Sequence, residues 1–282
     1  MDNATDSAGI SLVCCGLIGT LVADDGLIER SFGEAIATQG VVAGTSAFAR
    51  RMSQVHRARG MPPGDVLRVL FPDNEARAQA AELAFDRALP DSLSRADIRM
   101  LPGAVEALGD LRAAGRRVCV LTSLPRRVLN QVLDAANLRR HVDLALSTDD
   151  APRGFPAPDL ALAAMLQAGV AAVQDMALVH GTGAGMECGR RSGASVVVGV
   201  LTGAHSAARL RAAGATHIVS SIAEVPALLE KLDPRAERAL GGENGTPSKD
   251  SVGAGAAGTA AAVSATIDVP PQATAERRRL GR

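Results

Sequence analysis

The chain has 282 residues, 47% of them apolar and 21% charged, with 30 basic residues balanced by 30 acidic ones. Such a chain suits a globular protein of one domain, or a core plus a cap, with a sizeable interior. Zero formal charge, no Trp or Tyr and only five Phe argue against nucleic acid or an anionic membrane surface as a partner.

Lys231 and Lys249 are the only lysines, which leaves few candidates for a Schiff base. Cys14, Cys15, Cys119 and Cys188 follow neither a disulfide nor a zinc spacing and read as small core hydrophobes. The apolar run 10–23 lacks the positive flank of a signal peptide, since MDNATDSAG precedes it and Asp24-Asp25 follow. No run reaches the length of a membrane span. The expectation is a cytoplasmic protein.

In chain order, residues 11–15 predict a buried strand. Residues 27–95 then keep a helical period through LIERSFGEAIATQG, TSAFARRMSQVHRARG, GDVLRVLF and NEARAQAAELAFDRAL, with Pro62-Pro63-Gly64 as punctuation. From about residue 100 helices and strands alternate. Helix 103–114 leads to VCVLT (118–122), helix 125–137 to LALS (144–147), and helix 158–168 to MALVH (176–180). Helix 184–192 leads to SVVVGVL (195–201), helix 205–213 to THIVSS (216–221), and a last helix covers 222–232. Near-continuous apolar strands separated by helices predict an α/β protein, a Rossmann-like doubly wound parallel sheet with both faces covered. The expected division is a core of residues 1–26 and 96–232, a helical cap of residues 27–95, and a disordered Ala/Gly-rich tail over 233–282.

Ligands of such sheets bind at the carboxyl ends of the strands. Those ends carry GLIGTLVADDGLIERSF, VLTSLPRRVLNQVL, FPAPDLALAAM, GTGAGMECGRRSGASVVVGVLTGAH and THIVSSIAEVPALL. In order and spacing they resemble the haloacid dehalogenase-like superfamily, and within it the phosphonatase-like hydrolases with a helical cap.

The resemblance implies a phosphohydrolase chemistry whose residues can be located one by one. The first aspartate of a D-x-D-G-T stretch attacks phosphorus, and its place here is Gly16. The second is the acid/base, and its place is Ile18; Gly19, Thr20 and Leu21 keep the turn. A hydroxyl after the next strand holds a phosphoryl oxygen, a role open to Thr122, with Ser123 and Arg126 beside it at a helix N-terminus. The cation of a G-[KR]-P-x-P-D stretch falls on Phe155, with Arg153 two residues away. The two acids of G-D-T-x-x-D, which hold magnesium, fall on Gly181 and Gly185, and a cap lysine falls on Pro63. The resemblance therefore implies a fold whose nucleophile, acid/base and magnesium ligands are lost, and no cofactor is expected. Clustered carboxylates without a metal repel one another and resist burial, so their joint replacement has a physical logic.

Strand parity turns Cys15 away from the side that Gly16 faces and puts Cys14 deeper on that side, so both read as core. Asp24 and Asp25 read as a hinge or helix entry, and Asp159 as a helix start. His180, at a strand end, is the one candidate for a repurposed acid/base; the simpler reading is a histidine hydrogen-bonded within its loop. His56, His141, His205 and His217 read as surface or element-end residues. The expected ligand pocket comprises Thr20, Thr122, Ser123, Arg126, Phe155, His180 and Thr182. The function expected is non-catalytic binding of a small, largely uncharged molecule or a protein partner. The alternative is an enzyme with metal-independent chemistry in the same cleft, or a hydrolase whose ligands are displaced.

Overall fold

The computed structural model describes residues 9–232, so the tail expected over 233–282 lies outside the described residues. Six parallel strands form one sheet: β1 (Leu12–Gly16), β2 (Arg117–Leu121), β3 (Leu144–Leu146), β4 (Met176–His180), β5 (Val196–Val200) and β6 (His217–Val219). Their spatial order is β3-β2-β1-β4-β5-β6. The chain runs outward from β1 in one direction and then returns to its other side, so β1 flanks the topological switch point. In register, Gly16 lies beside Leu121 of β2, and Cys15 beside Val179 of β4.

The strands are apolar on both faces because helices cover both. Along β1, Val13 and Cys15 join one apolar cluster, and Leu12 and Cys14 join the other. That alternation follows from the two-residue period of a strand. Helices α5 (Ala104–Ala113), α6 (Arg126–Ala135) and α10 (Val225–Lys231) contribute to the first cluster. Helices α7 (Asp159–Gln167), α8 (Gly183–Ser192) and α9 (Ala207–Ala212) contribute to the second.

Between β1 and α5 lie four helices: α1 (Leu27–Thr38), α2 (Ser46–Arg57), α3 (Pro63–Leu70) and α4 (Glu75–Arg95). Thr45 caps α2 by accepting from Phe48 N at 3.2 Å, and Asn74 caps α4 by accepting from Arg77 N at 2.9 Å. Pro63 opens α3, a place where its missing N–H costs nothing. Phe32 of α1 stacks on Phe85 of α4 with ring centroids 4.4 Å apart.

Helix α4 runs to Arg95 with Pro90 inside it. Pro90 cannot donate to the carbonyl of Asp86, and that carbonyl instead accepts from the Arg127 guanidinium. Gln131 Nε2 donates to the Pro90 carbonyl at 3.0 Å. The neighbouring α6 thus supplies the donors that let the helix pass through a proline. Among the described residues no helix is long and apolar enough to cross a membrane.

Candidate functional site

The ends of β1, β2 and β4 meet a turn that leads to the inserted helices. Gly19 takes a left-handed backbone, φ 79°, and donates to Val22 O at 2.7 Å, while Leu21 N and Val22 N both return to Leu17 O. A side chain at residue 19 would be strained there, which explains the glycine. The turn leaves Leu17 and Ile18 on the wall of a cavity of about 60 Å3. Ile28, Phe32, Met61, Pro63 and Val66 of the inserted segment close its other side. Its polar rim is Thr122, Ser123, His180, Thr182 and Arg59. This volume suits a few water molecules or a ligand of a few heavy atoms, well short of the usual span of small-molecule pockets.

His180 ends β4, where burial on both faces of the sheet leaves its ring between strand ends. The Thr182 hydroxyl lies 3.1 Å from Nδ1 and accepts from Gly185 N at 3.3 Å. The hydroxyl keeps its own hydrogen, which it can donate to Nδ1 in the tautomer that carries the ring proton on Nε2. The ring meets Phe155 edge-on, centroids 5.2 Å apart and planes at 88°. Burial, with smaller contributions from the charges of His205 and Arg59, pushes the imidazole pKa down to about 4. At neutral pH the cavity therefore meets a neutral ring.

Opposite stands Arg59, only 6% exposed, which the sequence reading missed. Its guanidinium pairs with Asp24 at 2.6 Å and with Glu29, so its charge is already compensated. Gly60, beside it with φ 94°, brings the backbone so close to Thr182 that a side chain would strike the hydroxyl. Binding the same two layers together, His205 Nδ1 accepts from Gly183 N and Nε2–H donates to the carbonyl of His56, both at 2.8 Å. His205 is buried rather than a surface residue, a correction to the sequence reading. Its pKa is lowered, chiefly by burial. Nothing local to GAHSA signals this, because the partner carbonyl lies 149 residues away in sequence.

Of the residues expected in the pocket, Thr122, Ser123, His180 and Thr182 line the cavity together with Ile18. Three others lie elsewhere. Phe155 is 1% exposed and belongs to the apolar cluster of Leu12, Cys14, Leu160 and Met186 beneath the sheet, with its ring against His180. Its N–H donates to Ser123 Oγ at 3.1 Å, which orients that hydroxyl. Arg126 turns toward β3, where it pairs with Asp150 and donates to the Ala145 carbonyl at 2.7 Å, while its N–H meets Asp149 at 3.0 Å. Thr20 is fully buried, and its hydroxyl has no hydrogen-bond partner among the described residues. Arg153 holds Asp159 through two bonds of 2.9 and 3.0 Å with its side chain 70% exposed, so it does not stand in for the cation at residue 155. Asp159 opens α7, and Asp24 and Asp25 lie at the exit toward the inserted helices, where Arg59 and Arg99 hold them. Cys14 and Cys15 are buried, and burial raises the Cys15 thiol far above its ordinary value, which removes it as a nucleophile.

The donor set does not fit magnesium. Gly16, Gly181 and Gly185 have no side-chain oxygen, and the nearby groups are a neutral imidazole and hydroxyls rather than carboxylates. Among the described residues no group of three or more His, Cys, Asp or Glu side chains is arranged to hold a metal ion.

The molecule's resemblances agree with its topology. Phosphonoacetaldehyde hydrolase of Bordetella pertussis is 29% identical over 231 residues, covering 67% of this chain and 84% of that protein. The phosphonoacetaldehyde hydrolase of Bordetella avium is 29% identical over 246 residues, 73% of this chain and 84% of its own length. Among solved structures, a phosphonoacetaldehyde hydrolase like protein from Oleispira antarctica superposes with a TM-score of 0.71 at 20% identity, over 82% of this chain and 95% of that one. A hydrolase from Pseudomonas syringae superposes at 0.69 with 24% identity, over 79% and 99%. The family model of haloacid dehalogenase-like hydrolases matches residues 11–180, more than half of the sequence, and the chain belongs to that family.

Proposed function

We propose that this protein is a non-catalytic member of its family, a pseudo-phosphatase whose cleft binds a small uncharged molecule. The observation that carries the reading is the chemistry of the cavity wall: no carboxylate at the ends of β1 and β4, and a neutral imidazole in their place. Phosphoryl transfer of the family's kind needs an attacking oxygen, a proton donor and a cation to screen the phosphate. Gly16, Ile18 and Phe155 supply none of these.

The same wall describes what the cleft suits. Leu17, Ile18, Ile28, Phe32 and Val66 favour an apolar body. The Thr122 hydroxyl accepts from Leu124 N at 3.2 Å and the Ser123 hydroxyl accepts from Phe155 N, so both keep a proton to donate. A short carbonyl compound or alcohol of a few carbons matches this set, and an anion does not, because Arg59 is already paired with two acids.

The test has two arms on the full chain. Turnover is measured on an aryl phosphate, on phosphonoacetaldehyde and on a panel of small phosphates, with and without magnesium; none is expected. Thermal shift is then recorded with neutral carbonyls and alcohols of two to four carbons against inorganic phosphate, with stabilisation expected from the neutral set alone. Magnesium-dependent turnover, or stabilisation by phosphate and not by the neutral panel, overturns the reading. Metal-free turnover lost in His180→Ala would instead establish the alternative, acid/base chemistry by the one titratable ring on the cavity wall that is not ion-paired.

A further inference from the structure

Gly16 and Gly185 have ordinary backbone angles, so neither position demands glycine for conformational reasons. Gly16 lies in a strand and Gly185 in a helix, where glycine is a disfavoured choice. What they share is a neighbour. A Cβ on residue 16 would stand 2.6 Å from His180 Cδ2, 2.8 Å from Nε2 and 2.8 Å from the Thr20 hydroxyl. A Cβ on residue 185 would strike the His180 ring at Cγ and come within 2.7 Å of its Cβ and Cδ2.

The ring cannot swing aside at small cost. Thr182 holds Nδ1, Phe155 flanks the ring edge-on, and the residue is buried. A long flexible side chain would yield to an added methyl, but a packed ring transmits the strain to its surroundings. We infer that His180 is the residue that holds positions 16 and 185 at glycine. Its imidazole occupies the space that side chains from β1 and α8 would need, and it sets the chemistry the cleft presents. The three residues are one steric unit: the ring requires both glycines, and a side chain at either position requires the ring's removal. This stands whether or not the cleft binds a neutral ligand, because it concerns occupied space alone.

A third glycine serves as an internal control. A Cβ on Gly181 would come within 2.5 Å of Gly203 Cα, a backbone obstacle that His180 does not govern.

The experiment compares Gly16→Ala, Gly185→Ala and Gly181→Ala in the natural chain and in a His180→Ala background, reading thermal midpoints by circular dichroism. Alanine adds bulk without charge, so the cost of burying a carboxylate does not enter. In the natural chain, Gly16→Ala and Gly185→Ala are each expected to lower the midpoint by roughly 5 °C or to prevent folding. With His180→Ala both penalties shrink, because the ring contacts at Cγ, Cδ2 and Nε2 are gone, while the residue-180 Cβ beside position 185 and the Thr20 hydroxyl beside position 16 remain. Gly181→Ala costs the same in both backgrounds.

Natural-background Gly16→Ala and Gly185→Ala variants as stable as the parent would overturn the inference without any second substitution. So would equal penalties with and without the ring, or rescue of Gly181→Ala by His180→Ala. Should His180→Ala not fold by itself, His180→Ser removes the ring while leaving a hydroxyl beside Thr182 and takes its place in the comparison. A Gly16→Ala chain that folds only when residue 180 is small supports the inference as fully as a shifted midpoint.

Discussion

His180→Gln removes the titrating ring from the floor of the cavity while keeping its approximate length and a group able to accept from the Thr182 hydroxyl. The unfolded chain protonates this imidazole near the ordinary 6.5, whereas in the folded protein it must wait until about pH 4. Between those values the unfolded state holds more protons, so acid favours unfolding. The contribution of a neutral buried His180 is complete above pH 6.5 and is lost as the pH falls toward 4. In full it amounts to about 3 kcal/mol, of which about 2 kcal/mol disappears between pH 7 and pH 5.

The assay is urea unfolding at pH 7, 6 and 5 for the natural chain and the His180→Gln variant. His205, also held neutral by burial, slopes the same way in both, so the difference between the two curves isolates His180. The natural chain should lose about 2 kcal/mol more than the variant over that interval. With only five histidines in the chain, the rings can also be followed by NMR, and the His180 signals should not titrate between pH 8 and pH 5. Parallel stability curves for the two proteins, or a His180 ring that titrates near 6.5, would refute the reasoning.

Two further predictions rest on the same geometry. Phe155→Lys places an ammonium where the family pattern carries a cation, but the position is 1% exposed within the apolar cluster of Leu12, Cys14 and Met186. The expected loss is about 3–5 kcal/mol in urea unfolding, and phosphatase turnover should not appear. Arg59→Ala removes the cation shared by Asp24 and Glu29 at the junction with the inserted helices. It should cost about 2 kcal/mol by urea midpoint and raise hydrogen exchange in α1 and in the loop at 58–61, whereas Arg59→Lys should recover part of both.

Much of this protein was legible in its sequence. Unbroken apolar runs such as VVVGV and MALVH predict buried parallel strands because both faces of such a sheet are covered, and the observed strands fall within a residue or two of those runs. The strand ends then indicate where a site belongs, and Thr122, Ser123, His180 and Thr182 do meet there with Ile18. Periodicity carries this information because it reports which face of an element avoids water.

Tertiary packing decided the rest. Pro90 lies inside α4, and the Arg127 and Gln131 side chains of α6 donate to the carbonyls of Asp86 and Pro90 there. Arg126 reads as a cleft cation, and two aspartates beyond β3 draw it away. Phe155 sits in a site motif but faces the far side of the sheet, since its apolar ring gains more from the core beneath β1 than from a cavity edge. Arg59 and His205 carry no local signal, because their partners come from other elements of the chain. The sequence alone reported the fold class, the strand ends and the glycines at 16, 181 and 185. That the first and last of these face one buried ring, and that Gly181 faces the backbone of Gly203, depends on which atoms share a volume, and only the folded chain brings those atoms together.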